Sequence, residues 1–231
     1  MKAFISYSTV DKYIAGKIQN ILDRFGIESF LAHEDIQVSS EWQTVILNEL
    51  RKSDLFVALL SREYETSPWC EQEAGIAAFR EITLVFLSLD GTIPKGFVGK
   101  TQSAKIREET LSINDLIPGI IRCNFSVGTN MIVDLIGKSR SFRQAEKNFQ
   151  MILPYVDQMK KSQIKELLKR SANNRQVYDA GICRKRYIPS LLKDYRYLLS
   201  KKTIAILEGP SVSDSKPNDE PDPSGPETKF A

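Results

Sequence analysis

The unbroken apolar run Leu55–Leu60 (LFVALL) constrains the fold of this chain more than any other feature. A strand with one face in water alternates apolar and polar residues. A run without alternation, bounded here by Ser53–Asp54 and by Ser61–Arg62, belongs to a strand covered on both faces. Ile82–Leu89 (ITLVFLSL) has nearly the same character. Such strands are found in parallel sheets whose crossover helices cover both sides.

The flanking sequence supplies those helices. Lys2–Ser6 (KAFIS) reads as a first strand. Ser8 with Asp11 makes a capping arrangement ahead of Ile14, Ile18, Ile21, Leu22 and Phe25, which share one helix face and stop at Gly26. Ile27–Leu31 is a second strand and Ala32–Ser39 a polar loop. Ser39 or Ser40 then starts a helix bearing Trp42, Val45, Ile46 and Leu50, and the spacing assigns Trp42 to the core. After the third strand, Ser67 caps a helix over Pro68–Glu81. Pro68 takes its first position, where a missing N–H costs nothing. Strands alternating with helices of this length predict right-handed crossovers and an α/β fold with a parallel sheet. Beyond Asp90 the pattern weakens. Gly91–Asp115 reads as loop with a short helix, Ile120–Cys123 as a last, edge strand, and Asn130–Ile136 as a closing helix.

Charge divides the chain. The net charge of +3 conceals 16 Lys/Arg against 5 Asp/Glu between Arg140 and Lys202, and 16 against 24 elsewhere. The expected organisation is an α/β domain over 1–139, a basic helical extension over 140–208 and a disordered tail over 209–231. Within the extension, Phe142–Val156, Ser162–Ser171 and Arg184–Leu199 are helix candidates. The tail holds five of the ten prolines and no periodic apolar residues before Phe230. For the basic extension, solvated helix faces or a docking surface for an acidic partner are favoured over nucleic-acid binding, because aromatic and turn signals are weak.

Several chemistries are excluded. His33 is the only histidine, which removes Ser/His/Asp catalysis and His-based metal sites, and no metal is expected. The cysteines Cys70, Cys123 and Cys183 form no CxxC, so disulfide and zinc frameworks do not fit and a reducing, cytoplasmic setting does. No glycine loop of the Walker or dinucleotide type is present. No apolar run approaches the ~20 residues of a membrane span, and nothing after Lys2 has the pattern of a secretory leader.

The chemistry-bearing stretch is Arg62–Ala74 (REYETSPWCEQEA). Trp69 and Glu73, four apart, project from one face of the helix that follows the third strand. In open α/β sheets ligands bind beyond the carboxyl ends of the strands. Glu71 is the plain alternative carboxylate, but it points about 200° away from Glu73.

In order and spacing these segments resemble a Toll/interleukin-1 receptor (TIR) domain of the bacterial type, over roughly Lys2 to Lys138. The hallmarks are Phe4–Ile5–Ser6–Tyr7–Ser8; Asp35–Ile36 followed by Trp42; and Ser53–Asp54, Leu60–Ser61, Tyr64, Ser67, Trp69, Cys70 and Glu73. The chain departs from the pattern at Ser39–Ser40, where members often have a glycine before the tryptophan. The resemblance implies a flavodoxin-like sheet of order 2-1-3-4-5. It also implies cleavage of NAD⁺ at the nicotinamide–ribose bond, with Glu73 as the catalytic carboxylate and Phe4, Ser6, Tyr7 and Trp69 as substrate-binding residues. NAD⁺ would be substrate, and no separate cofactor is implied. TIR–TIR self-association through the second loop, a downstream effector and a role in anti-phage defence or signalling go with that reading. Two alternatives remain at this level: a non-catalytic TIR adaptor working by homotypic assembly, and an enzyme like the nucleoside deoxyribosyltransferases.

Overall fold

The computed structural model describes residues 1–32 and 42–209. The polar loop after the second strand, the helix start at Ser39 or Ser40, His33 and the C-terminal tail lie outside the described residues. The described residues form two compact units. One lies within Met1–Leu135 with Ile152–Met159; the other comprises Ile136–Met151 and the described residues from Lys160 to Gly209.

The first unit holds a five-stranded parallel sheet of order β2-β1-β3-β4-β5, with β1 (Lys2–Tyr7), β2 (Glu28–Leu31), β3 (Leu55–Leu60), β4 (Thr83–Ser88) and β5 (Ser103–Lys105). This is the flavodoxin-like order. Every residue of β3 is buried, as its unbroken apolar sequence requires. In β1, Ser6 pairs with Ala58 and Tyr7 with Leu59. The helices are α1 (Lys12–Asp23), α2 (Trp42–Lys52), α3 (Arg62–Glu65), α4 (Pro68–Phe79), α5 (Ile117–Cys123) and α6 (Phe125–Gly137). Just beyond α1, Gly26 takes a φ of 70°, a left-handed conformation that glycine adopts without a Cβ penalty.

One expectation is corrected here. Ile120–Cys123 is not the edge strand but the end of α5. The edge is Ser103–Lys105, which pairs with Phe86–Ser88 of β4 and carries no apolar side chain larger than Ala104. The apolar residues Ile117, Ile120 and Ile121 are buried by the helix instead.

The second unit is helical, with α7 (Phe142–Ile152), α8 (Lys161–Ala172), α9 (Arg175–Tyr178), α10 (Ile188–Tyr195) and α11 (Lys201–Glu208). A π-helical turn at Cys183–Tyr187 leads into α10, and a tight turn at Arg196–Leu198 separates α10 from α11. Phe149, Ile164, Leu167, Val177, Ile188 and Leu191 are buried. Phe149 and Tyr187 stack with ring centroids 5.8 Å apart. The Asn174 side-chain amide donates to the carbonyls of Gly137 and Ser139, both at 2.9 Å.

Candidate active site

In this strand order the connection reverses between β1 and β3, so their carboxyl ends flank a crevice. Hydrogen bonds tie the segments leaving those strands together. Ser61, directly after β3, donates from Oγ to Asp11 Oδ2 at 2.6 Å and accepts from the Tyr64 N–H at 3.1 Å, capping α3. The Arg62 N–H donates to Asp90 Oδ2, joining the end of β4 to the same region. Next comes α4. The Ser67 hydroxyl accepts from the Cys70 N–H and Pro68 lies in the first turn, as the sequence predicts.

That capped start aims Glu73 back at the sheet. Glu73 is only 2% exposed, whereas Glu71 faces water. Ser6 Oγ donates to Glu73 Oε2 at 2.6 Å, a short charge-assisted geometry across 67 residues of sequence. Ser6 Oγ also lies 3.2 Å from Tyr64 Oη, and Tyr64 donates to the Cys70 carbonyl at 3.2 Å. Ser6 has one hydroxyl proton, and the shorter contact assigns it to the carboxylate. The other carboxylate oxygen, Oε1, is buried and meets no hydrogen-bond donor among the described residues.

Burial governs the titration here. Desolvation pushes the Glu73 carboxyl up to about 7, with the Ser6 hydrogen bond pulling weakly the other way. The same cause lifts the neighbouring Cys70 thiol to about 11, so it is protonated near neutrality and is no nucleophile.

The structure brings some of the candidate residues together and separates others. Ser6 and Glu73 are in direct contact. Phe4 shares their face of the sheet but lies two residues deeper, packed between Phe30 and Phe56 with centroids 5.4 and 5.7 Å away. Tyr7 is fully buried, and strand alternation sends its side chain to the opposite face. Trp69 is 37% exposed and stands edge-on to Trp42, centroids 4.0 Å apart. Trp42 is therefore not a core residue: it is equally exposed and forms a surface aromatic pair at the start of α4. Tyr64 joins the site through its hydroxyl. It also lines a separate cavity of about 260 Å³ with Leu60, Ala74, Phe86, Pro94 and Val98, a cavity whose walls do not include Glu73. No group of three or more His, Cys, Asp or Glu among the described residues could hold a metal ion. No helix among them is long and apolar enough to cross a membrane.

A family model described as TIR domain matches residues 3–118, half of the chain, and the chain belongs to that family. Among solved structures, the TIR domain of the Toll-related receptor TRR-2 from Hydra magnipapillata is similar. It covers 55% of this chain and 96% of its own, at 15% identity and a TM-score of 0.42. No curated protein matches the chain at a significant level.

Proposed function

We propose that this TIR protein is a NAD⁺ glycohydrolase that cleaves the nicotinamide–ribose bond, giving nicotinamide and ADP-ribose or a cyclic ADP-ribose product. The observation that carries the reading is Glu73, a buried carboxylate anchored through one oxygen by Ser6, with the other oxygen uncommitted. The reaction asks little of its catalyst beyond such a group. The nicotinamide ring is cationic in NAD⁺ and takes the bonding electron pair as it departs neutral, so no strong general acid is needed. The ribose C1′ gains oxocarbenium character as the bond breaks, and a fixed carboxylate in a poorly solvated setting stabilises that charge. Trp69, with Trp42 against it, offers an aromatic surface on which a ring of the nucleotide stacks. Bacterial TIR members with this activity act in anti-phage defence and signalling, in the cytoplasm, through self-association and downstream effectors, and we extend that role to this protein.

Incubation of the purified protein with NAD⁺, with products resolved by chromatography, tests the reading. Release of nicotinamide by the parent, loss of about 10²–10³ in rate in Glu73→Gln, and near-parent rates in Glu71→Gln are expected. Parent protein that never releases nicotinamide, even when concentrated, would leave the adaptor reading. That second reading has its own support: Glu73 is 2% exposed and packed beneath α4, where a carboxyl group can also be a buried structural element.

A further inference from the structure

The second unit has a concave surface whose chemistry the TIR reading leaves unused. Between α10 and α11 runs a shallow groove of about 780 Å³, walled by Lys193, Arg196, Tyr197, Leu199, Lys201 and Ile204. Tyr197 sits on the tight turn between the two helices and is 65% exposed. Lys161, at the start of α8, places its Nζ 5.5 Å from the centroid of that ring. Arg196 is committed to Glu208 across the groove. Lys161, Lys193 and Lys201 have no carboxylate partner among the described residues.

An excess of 11 positive charges between Arg140 and Lys202 repels itself unless something outside the unit neutralises it. Where those charges line a concavity, they track a polyanion. An aromatic ring left mostly in water at the same place adds a stacking platform. Cations for phosphates plus a ring for bases is the combination that holds single strands of nucleic acid without reading their sequence. An acidic peptide would use the lysines but has no need of the ring. A membrane surface would call for protruding apolar side chains, and here Leu199 and Ile204 line the groove instead.

We propose that this groove binds single-stranded nucleic acid, with Tyr197 stacking on a base and Lys161, Lys193 and Lys201 neutralising phosphates on either side. The full-length protein is titrated into a fluorescently labelled oligothymidine of about 15 nucleotides, long enough for one such site. Anisotropy is read at about 50 mM and 200 mM salt. Three phosphate contacts on a single strand predict saturable binding that weakens roughly 20-fold over that range. Tyr197→Ala is expected to weaken binding roughly tenfold at fixed salt, while Tyr197→Phe, which keeps the ring, retains it. The double variant Lys193→Gln, Lys201→Gln is expected to weaken binding and flatten the salt dependence. An exposed tyrosine and exposed lysines can be changed without unfolding the unit, and circular dichroism checks that they are. No saturable binding up to about 100 µM protein, the weak end of non-specific phosphate binding, would overturn the proposal. So would parent-like affinity in Tyr197→Ala. Equal capture of polyglutamate or anionic vesicles, indifferent to Tyr197, would overturn it too and assign the surface to an acidic protein or a membrane.

Discussion

Glu73 links the site to stability. Its carboxyl titrates near 7 in the fold and near 4.5 when solvated, because burial disfavours the charged form. Below pH 4.5 both states hold the proton and burial carries no ionic penalty. Between pH 4.5 and 7 the unfolded chain releases it while the folded chain keeps it, so stability falls with rising pH. Above 7 the loss levels off at roughly 3 kcal/mol. Glu73→Gln removes the ionisable group. Urea denaturation at pH 8 should find this variant more stable than the parent by up to that amount, with the advantage gone near pH 4. A variant no more stable than the parent at pH 8 would mean that the carboxylate is well solvated. Tyr64→Phe makes a subtler change. Losing the hydroxyl removes the oxygen that competes with Glu73 for the Ser6 proton, which leaves Ser6 committed to the carboxylate. The pH–rate profile of NAD⁺ cleavage, which should rise through about 7, is expected to move to lower pH with the fold retained. An unmoved profile would reduce Tyr64 to a packing residue. Glu73 was legible in the sequence because Trp69 four residues earlier and the strand before it fix its place. Ser6 and Tyr64 stand as motif residues, yet no spacing rule reveals that their oxygens meet across 58 positions. Trp42 misleads for a related reason: its helical spacing says core, and only the Trp69 ring explains its surface position.

Among the elements, those defined by apolar pattern were legible and those defined by contact were not. Unbroken runs place β3 and β4, and the Ser67–Pro68 pair places α4. By contrast, β5 is three residues long and is held by the edge of β4 rather than by its own side chains. The segment Ile117–Cys123 carries enough β-branched residues to look like a strand. Pro118 in its first turn and Gly119 behind it are the features that favour a helix lying close on the sheet. A Cβ at Gly119 would lie 2.0 Å from Val85 Cγ2 of β4. Alanine is the better helix former by about 1 kcal/mol, but overpacking against a strand typically costs about 1–3 kcal/mol and here outweighs it. Gly119→Ala should therefore lower the urea midpoint. Adding Val85→Ala should return part of the loss, because the second change removes the clashing methyls while leaving its own cavity. Strict additivity of the two losses would show that α5 can shift away from the sheet.

At the scale of the whole molecule, the difficulty for the proposed catalysis is access. A carboxylate 2% exposed cannot meet a ribose without some opening of the crevice, and burial also leaves it partly protonated near neutrality. Anything that binds the open form preferentially draws the population toward it. A second copy is a natural candidate in a family that self-associates. The first unit also leaves large apolar side chains in water to be covered: Phe97 is 94% exposed, beside the exposed Ile93 on the same cavity. Specific NAD⁺-cleaving activity should accordingly rise with protein concentration and then saturate, following the assembled fraction measured by light scattering. Phe97→Ser should push both curves to higher concentration without lowering the plateau. Its side chain is too exposed for the change to unfold the domain. Activity per molecule that stays constant from dilute to concentrated solution, in a protein that remains a monomer throughout, would mean that the crevice opens unaided and that the exposed phenylalanine serves something else.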